Sequence, residues 1–198
     1  MKWLLLPLSY LLGAFPTGYL FFKRASRQDI RKFGSGATGA TNVLRLKGWR
    51  LAVPVVVIDV IKGALPAFAS WRITQDPGFA AWCASAAVVG HCFPVFIGFK
   101  GGKGVATAAG AMLFLAPVPA LLCVGVFVLV VAATRFISLG SMSAAALFPV
   151  FGWLFKRPPS LILGSLPFIV LILFQHRANI VRLVKGTERK IGEKASLT

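Results

Sequence analysis

The chain has 198 residues, 57% of them hydrophobic and only 14% charged, and its 22 basic residues against 5 acidic ones give a formal charge of +17. A soluble domain of this length cannot hide so much apolar surface, so the composition excludes a water-soluble protein and indicates an integral membrane one. Nucleic acid is excluded as the partner of the charge, because the basic residues sit in short segments between apolar runs, chiefly 23–50 and 177–194, where positive-inside asymmetry and anionic membrane lipids account for them.

Apolar runs predict membrane helices over residues 3–22, 51–71, 79–99, 105–116, 118–134, 137–155 and 161–175. The first run lacks a small-residue cleavage site followed by a soluble domain, so it reads as a retained span rather than a signal peptide. The fourth is short and rich in Ala and Gly, and Pro117 and Pro119 separate it from the fifth. That separation decides the topology. The heaviest basic segments follow the first, third and last runs, and placing all of them in the cytoplasm requires an even number of crossings after the third. Splitting 105–134 at Pro117 supplies that even number, with Lys156 and Arg157 left outside as the exception. The expected fold is an all-α integral membrane protein, a compact single-domain bundle of about seven transmembrane helices over residues 1–198, N-terminus outside and C-terminus cytoplasmic. Cys83, Cys92 and Cys123 form no CxxC pair and read as small buried hydrophobes.

Polar residues concentrate in three segments that this topology places on one face. In the first, Gly34-Ser35-Gly36-Ala37-Thr38-Gly39-Ala40-Thr41-Asn42 precedes a helix-compatible run bearing Arg45. Glycines, hydroxyls and an amide beside a guanidinium suit a phosphate, and they suit an interfacial turn as well. In the second, His91 is followed by Lys100-Gly101-Gly102-Lys103-Gly104. Glycine allows close backbone approach, lysine supplies charge, and a helix beginning near Lys103 would add its unpaired N–H groups to an anion cradle. His91 reads more readily as a packing residue than as a catalyst, and Lys100 equally as a snorkelling side chain. In the third, His176 and Asn179 share a face if the segment is helical, and Arg182 borders it. Glu188 fits a substrate hydroxyl or an ordinary salt bridge. Asp59 and Lys62, spaced i,i+3 in an apolar run, are expected to pair toward the bundle interior and support the site. Arg135 and Ser138 can reach the same face, with Ser141 one turn further in. There is no Walker A order, no metal-ligand spacing and no G-x-S-x-G elbow, so nucleotide hydrolysis, a structural metal and a serine hydrolase are all unsupported.

Segments 34–45, 90–107 and 176–188, with Asp59-Val60-Ile61-Lys62-Gly63 and Arg135-Phe136-Ile137-Ser138-Leu139, resemble the signature segments of the membrane acylphosphate:glycerol-3-phosphate acyltransferase family, PlsY, and the resemblance covers essentially the whole chain. It implies a seven-helix bundle in the bacterial inner membrane, active at the cytoplasmic surface in phospholipid synthesis. The implied reaction moves a fatty acyl group from acyl phosphate to the sn-1 hydroxyl of glycerol 3-phosphate, with no cofactor, and a functional monomer is compatible with it. The H-x-x-x-x-D signature of other glycerolipid acyltransferases is absent, since Phe96 and Val181 stand at the fifth position after His91 and His176.

By matching positions, the resemblance assigns Ser35, Thr41, Asn42, Gly102 and Lys103 to the donor phosphate, with Gly34, Gly36, Gly101 and Gly104 also expected to bind substrate. Arg45, Lys103, Ser141, His176 and Asn179 would position glycerol 3-phosphate, with Arg182 and Glu188 also expected to bind substrate; Lys103, His176, Asn179, Arg45 and Ser35 are the expected catalytic set. Acyl phosphate is already activated, so holding two phosphate-bearing substrates and neutralising charge suffices without a protein nucleophile. A substrate phosphate oxygen is the first choice as proton acceptor and His176 the second. A membrane phosphate or organic-anion transporter is the alternative, although the outer half of most runs is almost purely apolar.

Overall fold

The structure, a computed structural model, describes residues 2–193. Within them the regular elements are helices: α1 (Leu5–Gly13), α2 (Thr17–Ser26), α3 (Ala40–Lys47), α4 (Trp49–Thr74), α5 (Pro77–Cys92), α6 (Val105–Leu115), α7 (Pro117–Thr134), α8 (Ile137–Leu154), α9 (Pro159–Gln175) and α10 (Arg177–Val184), with short 3-10 turns at Lys2–Leu4, Ile30–Lys32 and Val95–Ile97.

Their boundaries follow local chemistry. Asp76 caps α5, its Oδ1 accepting from the N–H groups of Gly78 (2.9 Å) and Phe79 (3.1 Å), and Pro77 supplies the pre-set first turn. Prolines open α7 and α9 in the same way. Gly48, at φ +80°, turns the chain from the amphipathic α3 into α4.

Several expected boundaries move. The first run is not one uninterrupted helix: Pro16 breaks it between α1 and α2, because its ring blocks the helical bonding of the preceding turn. The freed carbonyl of Phe15 instead accepts from the buried Lys62 Nζ at 3.0 Å. The third run leaves the helix at Cys92, ahead of Pro94. At the last, His176 is the hinge of a 46° bend between α9 and α10, so the segment bearing His176 and Asn179 is not one unbroken helix.

Small residues let the helices approach closely. A Cβ on Gly63 would overlap the Thr107 carbonyl, one on Gly110 the Val60 carbonyl, and one on Gly13 the Ala87 carbonyl. These contacts draw α4 onto α6 and α1 onto α5, the small-residue packing that works where lipid removes the hydrophobic drive between helices. The main apolar core joins α5, α6, α8 and α9 around Val88, Met112, Phe148, Leu161 and Phe168. Outside it, α4, α7 and α9 present Ile61, Leu129 and Val170 to the surroundings. All three cysteines are buried and free, as their positions predict.

Lys2–Ser26, Trp49–Thr74, Pro77–Ile97, Pro117–Thr134 and Ile137–Leu154 are long and apolar enough to cross a bilayer, and α9 with α10 makes a sixth if the bent pair counts as one span. α6, with 11 residues, is shorter than these. At about 1.5 Å per residue it covers only about half of a ~30 Å hydrocarbon layer. The protein is a multi-pass membrane protein. Its two ends differ: Trp3 meets Phe79, and Gly78 meets Ser160, at one end, where α1, α5 and α9 begin. At the other end the α2–α4, α5–α6 and α7–α8 connections and the segment after α9 come together.

Candidate active site

At that second end a cavity of about 450 Å3 penetrates the bundle. Ser35, Thr41, Asn42 and Arg45 line one side of its polar part, and Lys103, Ser138, Ser141, His176, Asn179 and Glu188 line the rest. Deeper in, the walls become apolar, with Val60, Leu113, Phe127, Phe148 and Phe168 drawn from α4, α6, α7, α8 and α9.

The first loop is built by Asn42. Its Oδ1 accepts from the Ser35 N–H at 3.1 Å, and its Nδ2 donates to the carbonyls of Phe33 (3.1 Å) and Ala37 (2.9 Å). Both amide donors are thereby committed, so Asn42 shapes the loop around a position where Gly34 adopts φ +61°, and leaves no N–H for a ligand. Gly36, at φ +72°, completes the turn, and neither glycine lines the cavity.

The second loop departs from the expected cradle. The N–H groups of Gly101 and Gly102 donate to the carbonyls of Cys92 and His91, each at 3.1 Å, and Thr38 N–H donates to the Gly101 carbonyl at 3.2 Å. These glycines fold the loop back on the end of α5 and join it to the first loop. A Cβ at Gly102 would strike the His91 ring and one at Gly101 the His91 carbonyl, so the missing side chains make room for protein. The start of α6 does reach the cavity: Gly104 (φ +81°), Val105 and Ala106 line it, and the first N–H groups of the helix have no side-chain cap. An uncapped helix N-terminus suits an anion.

Lys103 stands between these N–H groups and the third segment, where its Nζ donates to Asn179 Oδ1. Asn179 Nδ2 in turn donates to Glu188 Oε1 at 2.7 Å, an oxygen that also accepts from Ser138 Oγ at 2.8 Å, and Arg182 Nε donates to Glu188 Oε2 at 2.7 Å. Glu188 is therefore the buried hub of the segment, not a surface ion pair. Burial raises its affinity for a proton, but the bonds from Asn179, Ser138 and Arg182 prevail and hold its pKa below the usual value, so it is a carboxylate at neutral pH. Arg182 serves Glu188 and does not line the cavity. Arg45 NH2 donates to the Arg189 carbonyl at 3.3 Å, tying α3 to the segment after α10.

His176 is buried, and its Nδ1 lies 2.8 Å from the Ile172 carbonyl. Nδ1 must donate there, which leaves Nε2 as the nitrogen free to meet a ligand. Ser141, also buried, bonds back to the Ile137 carbonyl at 2.9 Å. Asp59 and Lys62 pair at 2.9 Å as expected, and His91 Nδ1 lies 3.8 Å from the same carboxylate oxygen. Asp59 and His91 both reach the cavity wall, a placement their positions in apolar runs do not announce. Ser138 contributes more than its position predicts: it is fifty residues from Glu188 in sequence and binds it directly. Among the described residues no cluster of His, Cys, Asp and Glu could hold a metal ion.

Burial pulls the Lys103 pKa down to about 8; Glu188 opposes the shift, and Arg182 and Arg45 reinforce it. Lys103 is a cation below that pH and loses its charge as pH rises through it. The expected result is an alkaline limb in kcat/KM near pH 8, falling roughly tenfold per further pH unit if only the charged form binds a phosphate. Lys103→Arg should move that limb beyond the measured range, because guanidinium stays protonated. A pH–rate profile of both proteins checks this.

The family model for glycerol-3-phosphate acyltransferase matches residues 3–186. The chain belongs to the glycerol-3-phosphate acyltransferase family. It is 44% identical over 194 residues to the glycerol-3-phosphate acyltransferase of Syntrophomonas wolfei, covering 96% of this chain and 97% of that one. It is also 44% identical over 191 residues to the Clostridioides difficile enzyme of the same name, covering 94% and 93%. Among solved structures, the glycerol 3-phosphate form of PlsY, an integral membrane glycerol 3-phosphate acyltransferase, superposes with a TM-score of 0.91 at 35% identity over 96% of both chains. The lysophosphatidic acid form gives 0.88 at 34% identity, over 97% of this chain and 96% of that one. This family member therefore shares the fold and membrane setting of PlsY.

Proposed function

We propose that this acyltransferase uses acyl phosphate as donor and the sn-1 hydroxyl of glycerol 3-phosphate as acceptor, releasing lysophosphatidic acid and inorganic phosphate. The observation that carries the reading is the two-part cavity, cationic at its mouth through Arg45 and Lys103 and apolar within. The likeness to PlsY in both its glycerol 3-phosphate and lysophosphatidic acid forms supports the choice of acceptor and product.

In this reading the donor phosphate lies at the start of α6 against Lys103, beside Ser35 and Thr41, with its acyl chain among the apolar walls. Arg45, His176, Asn179 and Ser141 orient glycerol 3-phosphate. The acceptor oxygen forms a bond to the acyl carbon, the carbon–oxygen bond to phosphate breaks, and the hydroxyl proton leaves on the released phosphate. His176 Nε2 is the second candidate to take that proton. Lys103 bridges both phosphates and offsets the negative charge that builds on the carbonyl oxygen. No cofactor enters the balance. The whole chain acts as one domain, a monomer suffices, and seven crossings, including the short α6, put the cavity mouth on the cytoplasmic side of the bacterial inner membrane.

The test is direct. Purified protein in detergent or nanodiscs should form lysophosphatidic acid and phosphate in equal amounts from acyl phosphate and glycerol 3-phosphate. Omission of the acceptor should abolish release, and acyl-CoA should not replace the donor. Product no greater than a protein-free control refutes the reaction; equal use of acyl-CoA refutes the donor.

A further inference from the structure

α10 has two faces, and only one belongs to the cavity. Asn179 is 3% exposed and meets Lys103 and Glu188. On the opposite side Ile180, Val181 and Val184 are 44%, 52% and 84% exposed. Residues spaced i, i+1 and i+4 cover one continuous stripe of a helix. Cations flank the stripe: Arg177 precedes it, stacked over the Phe174 ring at 4.4 Å, and exposed Lys185 follows it. The 46° bend at His176 turns this helix away from the α9 axis just where the last long apolar run ends. An apolar stripe edged by basic residues, beside an exposed aromatic ring at the end of a span, fits an anionic lipid surface.

We propose that the outer face of α10 seats in the anionic headgroup layer of the bilayer, and that this seating holds Asn179 in register with Lys103. The segment that follows depends on the same support. Glu188 takes bonds from Asn179 and Arg182, both carried on α10, so a helix that lifts from the surface also loosens the hub. Ile180, Val181 and Val184 are thereby positioning residues, acting through Asn179. The seating itself is independent of the reaction proposed above; only its kinetic consequence rests on that reading.

The experiment separates the two. Val184→Cys, carrying a nitroxide label, is reconstituted as full-length protein in nanodiscs of phosphatidylglycerol and phosphatidylcholine, beside a label at Gly186. Collision with oxygen against a water-soluble nickel chelate reports depth. The expected result is a lipid-protected label at 184, with protection reduced in phosphatidylcholine alone. A label at 184 as accessible to nickel as that at 186 overturns the seating, whether or not the enzyme turns over. In the kinetic arm, Ile180→Asp with Val181→Asp, which leaves position 184 free for the label, should raise KM for glycerol 3-phosphate several-fold with a smaller change in kcat, and Ile180→Leu with Val181→Leu should leave it unchanged. Unchanged KM in the aspartate variant, with the label displaced, overturns the coupling to Asn179. If that variant fails to insert, Arg177→Gln with Lys185→Gln supplies the same two readouts and should lose the preference for anionic lipid.

Discussion

Lys103→Ala should lower kcat by about 10²–10³-fold while the protein still inserts and folds, the range found when one preorganised donor to a developing anion is removed. The reasoning rests on where the ammonium is held. Lys103 precedes the uncapped start of α6, its Nζ is fixed by Asn179, and Asn179 is fixed by the Glu188 hub. The charge is therefore in place before any substrate arrives, and little reorganisation accompanies the reaction. Lys103→Ala removes the charge and leaves Asn179 Oδ1 without its donor, so part of the loss will be local loosening. Lys103→Met, which keeps the length of the side chain, isolates the charge, and Asn179→Ala isolates the tether. Steady-state kinetics with both substrates varied, beside size-exclusion profiles and thermal midpoints in the same detergent, check the result. Near-normal turnover in Lys103→Met would remove Lys103 from the site.

The second large effect concerns stability. Asp59 and Lys62 are 2% and 7% exposed and form a 2.9 Å ion pair inside a membrane helix. Removing one partner of a buried pair typically costs about 3–5 kcal/mol, because it strands the other charge. Lys62→Met should fall in that range and also remove one of the two donors to the Phe15 carbonyl at the α1–α2 break, leaving it the Thr17 N–H at 3.0 Å. Asp59→Asn leaves Lys62 that carbonyl but no counter-charge. The double variant should be less destabilised than the sum of the singles, since neither charge then remains alone. Thermal unfolding of all four proteins, closed as a double-mutant cycle, measures the coupling. A strictly additive result would mean that the pair contributes nothing beyond its separate residues.

The sequence revealed more about which segments meet than about how their atoms are used. Convergence of the Gly34, Lys103 and His176 segments was legible from basic-residue parity, because that argument uses only apolar length and charge, which are local properties. The division at Pro117 and the Asp59–Lys62 pairing were legible for the same reason. The use of the glycines was not. A glycine signals that a Cβ has no room, but Gly101 and Gly102 border the end of α5 rather than a ligand, and only tertiary structure distinguishes the two. Asn42 misleads similarly: an amide in a glycine-rich loop suits a phosphate, yet here its partners are Ser35, Phe33 and Ala37. The hinge at His176 escaped because nothing in Phe174-Gln175-His176-Arg177 marks a helix break; the bend places the His176 ring, bonded to the Ile172 carbonyl, beside the Asn179 face. Ser138 and Glu188 are neighbours only through the packing of α8 against the chain beyond α10.

The two acids on the cavity wall, Asp59 and Glu188, already have partners within the protein. Asp59 is spent on Lys62 and Glu188 offsets only part of the charge of Arg45 and Lys103, so the mouth stays cationic and suits dianions of more than one kind. In the reaction proposed above, choice among them falls to shape: a long hydrocarbon tail for one ligand, a three-carbon polyol for the other. By the same reaction, spent phosphate is drawn to the same mouth as fresh substrate, so added inorganic phosphate should inhibit in competition with it.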